Sequence, residues 1–219
     1  WSLDIPGVPL VSSRSYLTDP SWTEARHVTV FNLCRSYAYQ SLGYYVSMLA
    51  EARGHKPQPS VTTLEDLKLQ ALVRIVSDDL ADVMDQALRQ VQSEQFVLSI
   101  YFGRPLVKRH RTLALSLFNQ FPAPLLRARF AREEDGWYLQ GIRPIAASEV
   151  PASHREFVAR SAEEYFANRP RTRRKRAAPR WELAILVDPE DQMPPSNMSA
   201  IARFERAAGK VGFGVERIT

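Results

Sequence analysis

The chain has 219 residues, 45% hydrophobic and 24% charged, which is enough for one or two globular cores. No apolar run approaches the roughly 18 to 20 residues of a membrane span and no signal peptide is visible, while the single cysteine excludes an internal disulfide and suits a reducing, cytoplasmic setting. The formal charge of +5 is local: residues 169–180 carry seven Arg or Lys and no acid, and without those seven the rest stands at −2, so the basicity does not argue for a nucleic-acid partner.

Residues 1–12 read as an N-terminal arm with a short strand, Val8 to Val11, after the Pro6-Gly7 turn. Because the chain starts at Trp1 rather than Met, the natural start is expected to lie upstream. Thr18, Asp19 and Pro20 provide a helix start, a capping side chain followed by a proline near the first turn. The stretch around which the rest is arranged follows. It has a β-rich run from Val28 to Leu33, then a polar and aromatic turn, then a helix that stops at Gly54. Gly54 after Arg53 suits a helix end, where a left-handed residue and a cation are both favoured. Leu42, Tyr45, Val46 and Leu49, at i, i+3, i+4 and i+7, predict the apolar stripe of that helix. His55 to Ser60 is a connection with room for a short extended piece, and Thr62 with Glu65 has the capping-box spacing of a helix that includes Leu64 and Leu67.

Residues 78–92 predict a helix with Leu80, Val83, Met84, Ala87, Leu88 and Val91 on one face and Asp78 and Asp79 in its first turn. Alternation from Phe96 to Phe102 predicts a strand ended by Gly103. Residues 106–121 predict a helix through Leu113, Leu117, Phe118 and Phe121, stopped by Pro122 and Pro124. Leu126, Ala128 and Phe130 alternate with Arg127, Arg129 and Arg132 as a strand with one wet face, and Trp137 to Ile145 returns as its hairpin partner. Ser153 and Glu156 cap a helix whose apolar face is Phe157, Val158, Ala162, Tyr165 and Phe166. Residues 1–168 therefore read as an α+β domain, a mixed sheet with helices, and no internal repeat is found.

Residues 169–181 read as a basic linker or exposed loop with no apolar side chain larger than Ala before Trp181. Residues 182–219 then give a strand from Leu183 to Val187, a polar loop, Ser196 as N-cap, a helix with Ile201, Phe204 and Ala208 inward, and a strand from Val211 to Ile218. Such a βαβ unit is expected to be parallel. Two parallel strands cannot bury both faces, so it reads as the first part of an α/β domain whose remainder is missing.

The best candidate site is the join between strand and helix, with Asn32, Arg35, Ser36, Tyr37, Gln40 and Ser41. A strand running into a helix N-terminus gathers free N–H groups and a positive dipole end, and Arg35 beside it suits a carboxylate or phosphate. The plainer alternative is that these groups only tie the turn to neighbouring loops. Arg14 and Tyr16, expected at a neighbouring strand end, either complete an anion or peptide pocket or pin the arm. Tyr44 and Tyr45 read as core or half-core residues, with stacking on a ligand as the other reading. Cys34 lies near a helix start and Arg35, which would lower a thiol pKa, but no companion His or Asp is spaced for nucleophilic catalysis and it reads as a small buried hydrophobe. His27, His55, His110 and His154 show no metal-ligand spacing. Arg104 after Gly103 is placed to face a ligand, and Arg127 and Arg129 read as a solvated face. Asp188, with Glu190 and Asp191, follows a parallel strand, where substrates often sit; either Asp188 contacts a bound amine or the loop is only solvated.

The run FNLCRSYAYQSLGYYVSMLAEARGHKPQPSV, with SRSYLTDP before it and SLFNQFPAPLLRARF after it, resembles the N-terminal domain attached to some RimK-like ATP-grasp proteins, over about residues 8–168. LAILVDPEDQMPPSNMSAIARFERAAGKVGFGVERIT resembles the opening βαβ of the pre-ATP-grasp domain in glutathione-synthetase and RimK-type ligases. The resemblance implies an ATP-dependent carboxylate–amine ligase, which phosphorylates a carboxylate with ATP and magnesium before an amine attacks the acyl phosphate. ATP and Mg are thus implied for the full-length protein, with an ATP-grasp domain in the same polypeptide. This chain shows no Gly-rich phosphate loop and no acidic metal cluster, so it is expected to hold no cofactor, metal or catalytic residue of its own. Its expected part is to recognise or position a small carboxylate, amino acid or peptide. The alternative is a non-catalytic protein-interaction or dimerisation module, including a homodimer.

Overall fold

Ser12 starts the first helix, its hydroxyl accepting the Ser15 N–H at 3.0 Å, and α1 (Ser13–Thr18) buries Tyr16. In this computed structural model, residues 3, 5–134, 136–167, 182–186, 198–211 and 213–218 are described. The expected strand over Val8 to Val11 does not form. Ile5 and Val8 make a single antiparallel bridge across the Pro6-Gly7 turn, and Pro9 beyond it has no N–H with which to continue a ladder. The Asp19-Pro20 signal works as expected: the Asp19 carboxylate accepts the Ser21 N–H at 2.9 Å and α2 (Ser21–Glu24) follows.

Next come β1 (Thr29–Phe31), α3 (Leu42–Ala52) and β2 (Lys56–Gln58), with β1 and β2 paired in parallel. The helix stops where Gly54 takes φ +73°. Its predicted stripe holds only in part, with Val46 buried and Leu49 half-buried. The buried residues are Gly43, Val46, Ser47 and Ala50, while Leu42 and Tyr45 face outward. The reason is close approach: a Cβ added at Gly43 would lie 2.2 Å from the Ser36 carbonyl oxygen, so the helix meets the turn through its smallest side chains. A hydrophobicity pattern does not register that demand.

α4 (Val61–Asp66) is capped by Ser60, whose hydroxyl accepts the Thr63 N–H at 2.9 Å, rather than by the expected Thr62–Glu65 pair. Glu65 bonds Lys68 instead, at 2.9 Å. The helix predicted over 78–92 is the shorter α6 (Ala81–Leu88), and an unpredicted helix, α5 (Gln70–Asp79), runs into it with a hinge at Leu80 (φ −108°, ψ 10°), so Asp78 and Asp79 end α5 rather than begin α6. The apolar face of α6 is as expected, with Met84 and Leu88 buried and Leu80, Val83, Ala87 and Val91 packed around them.

The remaining elements of this part are β3 (Gln95–Tyr101), β4 (Arg104–Pro105), α7 (Arg111–Gln120), β5 (Leu125–Glu133), β6 (Gly136–Pro144) and α8 (Arg155–Ala167). A 3-10 turn over Ala152–His154 displaces the start of α8 past the expected Ser153 cap. The strands form an antiparallel sheet in the order β4-β3-β5-β6, so the fold is α+β. One sheet face, with Ile100, Leu126, Ala128 and Phe130, packs against Met84, Leu88, Leu113 and Leu117 of α6 and α7. On the other face Tyr101 and Leu125 pack against Val158 and Ala162 of α8. That second cluster reaches Phe31 and Leu33, and thereby the small β1–β2 sheet.

The chain divides into two units, Trp1–Arg169 and Pro170–Thr219. In the second, β7 (Glu182–Leu186) pairs in parallel with β8 (Gly214–Ile218), and α9 (Met198–Lys210) joins them, as the βαβ reading requires. Ile201 and Ala208 are buried, but Phe204 is 59% exposed rather than inward, since two strands leave little sheet for the helix to cover. The segment read as a basic linker, the Ser196 cap and the acidic loop lie outside the described residues. No helix among the described residues is long and apolar enough to cross a membrane.

Candidate functional site

The turn between β1 and α3 is built on Asn32. Its buried amide nitrogen donates to the Gly43 carbonyl at 2.7 Å and to the Ser47 hydroxyl at 2.9 Å, and its side-chain oxygen accepts the Cys34 N–H at 3.2 Å. The Tyr37 hydroxyl donates to the Asn32 carbonyl at 2.7 Å, and burial pushes that phenol's pKa up. Ser47 passes the chain of bonds on to the Pro59 carbonyl at 2.7 Å. Ser41 caps α3, accepting the Tyr44 N–H at 3.3 Å and donating to the Ser36 carbonyl at 2.9 Å, while the Ser36 hydroxyl accepts the Ala38 N–H at 3.2 Å. Nearly every polar group singled out in the turn is therefore committed to holding its shape. The exceptions are Arg35 and Gln40. Both are exposed, Gln40 sits in the left-handed region at φ +64°, and Arg35 forms no ion pair among the described residues.

In front of this turn lies a cleft of about 620 Å³. Its walls are mostly apolar: Leu3, Ile5 and Val8 to Val11 from the arm, Tyr16 and Trp22 from the first helices, Val28 to Leu33 along β1, Leu42 and Val46 from α3, and Phe102 and Phe166 at one end. Asn32, Cys34, Arg35, Ser36 and Ser13 add polar atoms. Cys34 is half-buried, and burial raises its thiol pKa, the opposite of what a nucleophile needs.

Arg35 and Ser36 also line a second, smaller pocket of about 300 Å³ on another side of the turn. There Tyr37 and Ala38 face Leu64, Leu67 and Lys68 from α4 and its end, and Ile142, Arg143, Pro144, Ala146 and Glu149 from the end of β6. Arg143 holds Glu149 in two contacts of 3.1 and 2.5 Å, the Ala146 N–H adds a third at 3.1 Å, and Arg127 reaches the same carboxylate at 3.4 Å. These donors, Arg143 first, hold the Glu149 carboxyl down at about 2, so it is ionised at any ordinary pH.

The profile of the RimK-like ATP-grasp N-terminal domain matches residues 13–161, more than half of the chain. The chain belongs to that family. No curated protein matches it.

Within this RimK-like ATP-grasp N-terminal domain, Asn32, Arg35, Ser36, Tyr37, Gln40 and Ser41 share one turn, as the chain order requires. Of these, Asn32, Arg35 and Ser36 line the cleft, and Tyr16 joins them there, but from α1 rather than from a strand end. Its hydroxyl bonds His55 Nδ1 at 2.7 Å, and Arg53 lies over its ring at 5.1 Å while donating to its carbonyl at 2.6 Å. Arg14 is exposed on the same helix and does not line the cleft. Arg104 is on β4 in an ion pair with Glu164, away from both pockets. Asp188 lies outside the described residues. Sequence reasoning missed the arm as a cleft wall, and it missed Lys68, Arg143 and Glu149 altogether. No local signal joins them to the turn, because α4 and the end of β6 are brought there only by the tertiary fold.

Proposed function

We propose that this domain recognises and positions substrate for an ATP-dependent carboxylate–amine ligase of the RimK-like ATP-grasp type, and does not itself catalyse. The substrate is a small carboxylate, an amino acid or a peptide. One observation carries the reading. A mostly apolar cleft of about 620 Å³ ends on a turn whose polar groups are tied internally except Gln40 and Arg35, and Arg35, with no ion pair among the described residues, lines the cleft. An apolar wall with one unpaired charge is the usual composition of a binding pocket, the wall supplying affinity and the charge orientation. The chemistry belongs to an ATP-grasp core in the same polypeptide, working in the cytoplasm, where ATP and magnesium activate the carboxylate as an acyl phosphate for attack by the amine. The β7–α9–β8 unit fits the opening of the pre-ATP-grasp domain that would connect the two.

Arg35→Ala in the ligase that carries this domain tests the reading. Loss of one charged contact should raise the KM for the recognised substrate by about tenfold and leave kcat nearly unchanged, since no reacting atom is touched. Steady-state measurement of amide formation separates the two constants. Unchanged KM for every substrate would remove the turn from recognition.

A further inference from the structure

The smaller pocket has an imbalance of charge that the rest of the domain does not resolve. Three cations line it, Arg35, Lys68 and Arg143, against one carboxylate, Glu149. That carboxylate is already fully used. Arg127 and Arg143 stand directly opposite each other across β5 and β6, an unfavourable pairing of like charges, and Glu149 bonds both. It has no capacity left for Arg35. Lys68 is bonded to Glu65, but both side chains are about half exposed, at 48% and 50%, so the pair is a weak surface contact that another anion readily displaces. Leu64, Leu67, Ile142 and Pro144 give the pocket apolar walls, which concentrate the field of the cations.

We propose that a carboxylate or phosphate group of the ligand seats in this pocket, held by Arg35, Lys68 and Arg143. The inference deepens the recognition reading and rests on it for its place in the ligase. Because Arg35 and Ser36 line both cavities, one ligand can lie with its apolar body in the larger cleft and its anionic end past Arg35 in the smaller pocket. The substrate class is then an amphipathic anion, such as a peptide or acid in which an apolar side chain lies next to a carboxylate, rather than a neutral or cationic molecule. Lys68 and Arg143 then act as specificity-determining residues in addition to their contacts with Glu65 and Glu149.

The test uses this 219-residue chain, in low salt, with acetate, octanoate and inorganic phosphate as probes, followed by amide NMR titration. All three should shift signals from residues 35–38 and 142–146. Octanoate should in addition shift β1 signals and bind at least about tenfold more tightly than acetate, because burying each methylene contributes several-fold in affinity. Arg35→Gln and Lys68→Gln should each weaken octanoate by about tenfold, the effect of one charge-assisted hydrogen bond. Arg74→Gln, on the exposed face of α5, should leave it unchanged. Phosphate binding more tightly than acetate would identify the anionic group as a phosphate, and the reverse order a carboxylate. Equal affinity in the Arg35→Gln/Lys68→Gln double variant, or an equal loss in Arg74→Gln, would overturn the pocket. The two readings fail separately: octanoate can bind as described while Arg35→Ala leaves the ligase KM untouched, which sinks recognition alone. If instead KM rises but no probe shifts residues 142–146, the anion pocket alone is lost.

Discussion

The four-stranded sheet and the β1–β2 turn region are stabilised by different forces. Around the sheet the side chains are large and apolar: Phe130, Leu117, Leu126, Met84 and Phe121 are almost wholly inaccessible and fill the space between the strands and α5, α6 and α7. Around the turn the third buried cluster is only Tyr16, Val46 and Ala50, and shape comes from the Asn32 bonds and from small side chains on α3. A region held by directed hydrogen bonds keeps its form without filling its interior. It can therefore retain an apolar cleft, whereas the sheet body cannot leave one without losing stability. This contrast explains why the cleft lies at the turn and not between sheet and helices.

The comparison is broken most sharply by one substitution on each side. Phe130→Ala should cost about 3–5 kcal/mol, the transfer and cavity terms of a buried aromatic, and should leave binding of octanoate to the surviving folded fraction unaltered. Asn32→Ala should cost less, about 1–3 kcal/mol for leaving the Gly43 carbonyl, the Ser47 hydroxyl and the Cys34 N–H short of a partner, yet abolish binding. Urea unfolding gives the first quantity and the NMR titration the second. If Phe130→Ala destroyed binding while Asn32→Ala spared it, the assignment of stability to the sheet and shape to the turn would be reversed.

A smaller effect sharpens the sheet side. His110 is buried between Phe96 and α7, with Nδ1 unpartnered among the described residues and Nε2 accepting from Arg109 Nε at 3.3 Å. Burial, then the Arg109 guanidinium, holds its imidazole below its ordinary pKa. In the unfolded chain it takes a proton near pH 6.5, while in the folded one it stays neutral to lower pH. Over that window the unfolded state binds more protons, so stability falls as pH drops below about 6.5 and levels off once the folded pKa is passed. His110→Gln should flatten this slope in urea midpoints measured between pH 7 and 5. A slope unchanged by the substitution would assign it elsewhere.

Much of the sheet body was legible because its signals are local. Alternation marked β3, β5 and β6, and the apolar faces of α6, α7 and α8 read true. The hinge at Leu80 was not, since α5 buries only Val73, Val76 and Ser77, and Ser77 is fixed by a bond from the Leu139 N–H that no nearby residue announces. At the site, the polar residues of the turn were visible as a group, but their roles were not. Asn32 and Ser41 look like ligand contacts in sequence and act as structural ties. The rotated face of α3 was hidden for the same reason, as a glycine against a carbonyl leaves no hydrophobic signature.

Gln40 separates the two kinds of turn residue by the smallest effect. At φ +64° a side chain costs about 1–2 kcal/mol relative to glycine, and glycine's greater freedom in the unfolded chain returns about 0.4–1 kcal/mol of that. Gln40→Gly should therefore stabilise the domain by roughly 0.5–1 kcal/mol, seen as a small rise in urea midpoint with unchanged slope. A non-glycine residue kept at this angle asks whether its amide has a use. If octanoate binds the variant as before, Gln40 is only a turn residue and recognition rests on Arg35 and the anion pocket. Should affinity drop while stability rises, the amide touches the ligand, and the turn trades its own stability for that contact.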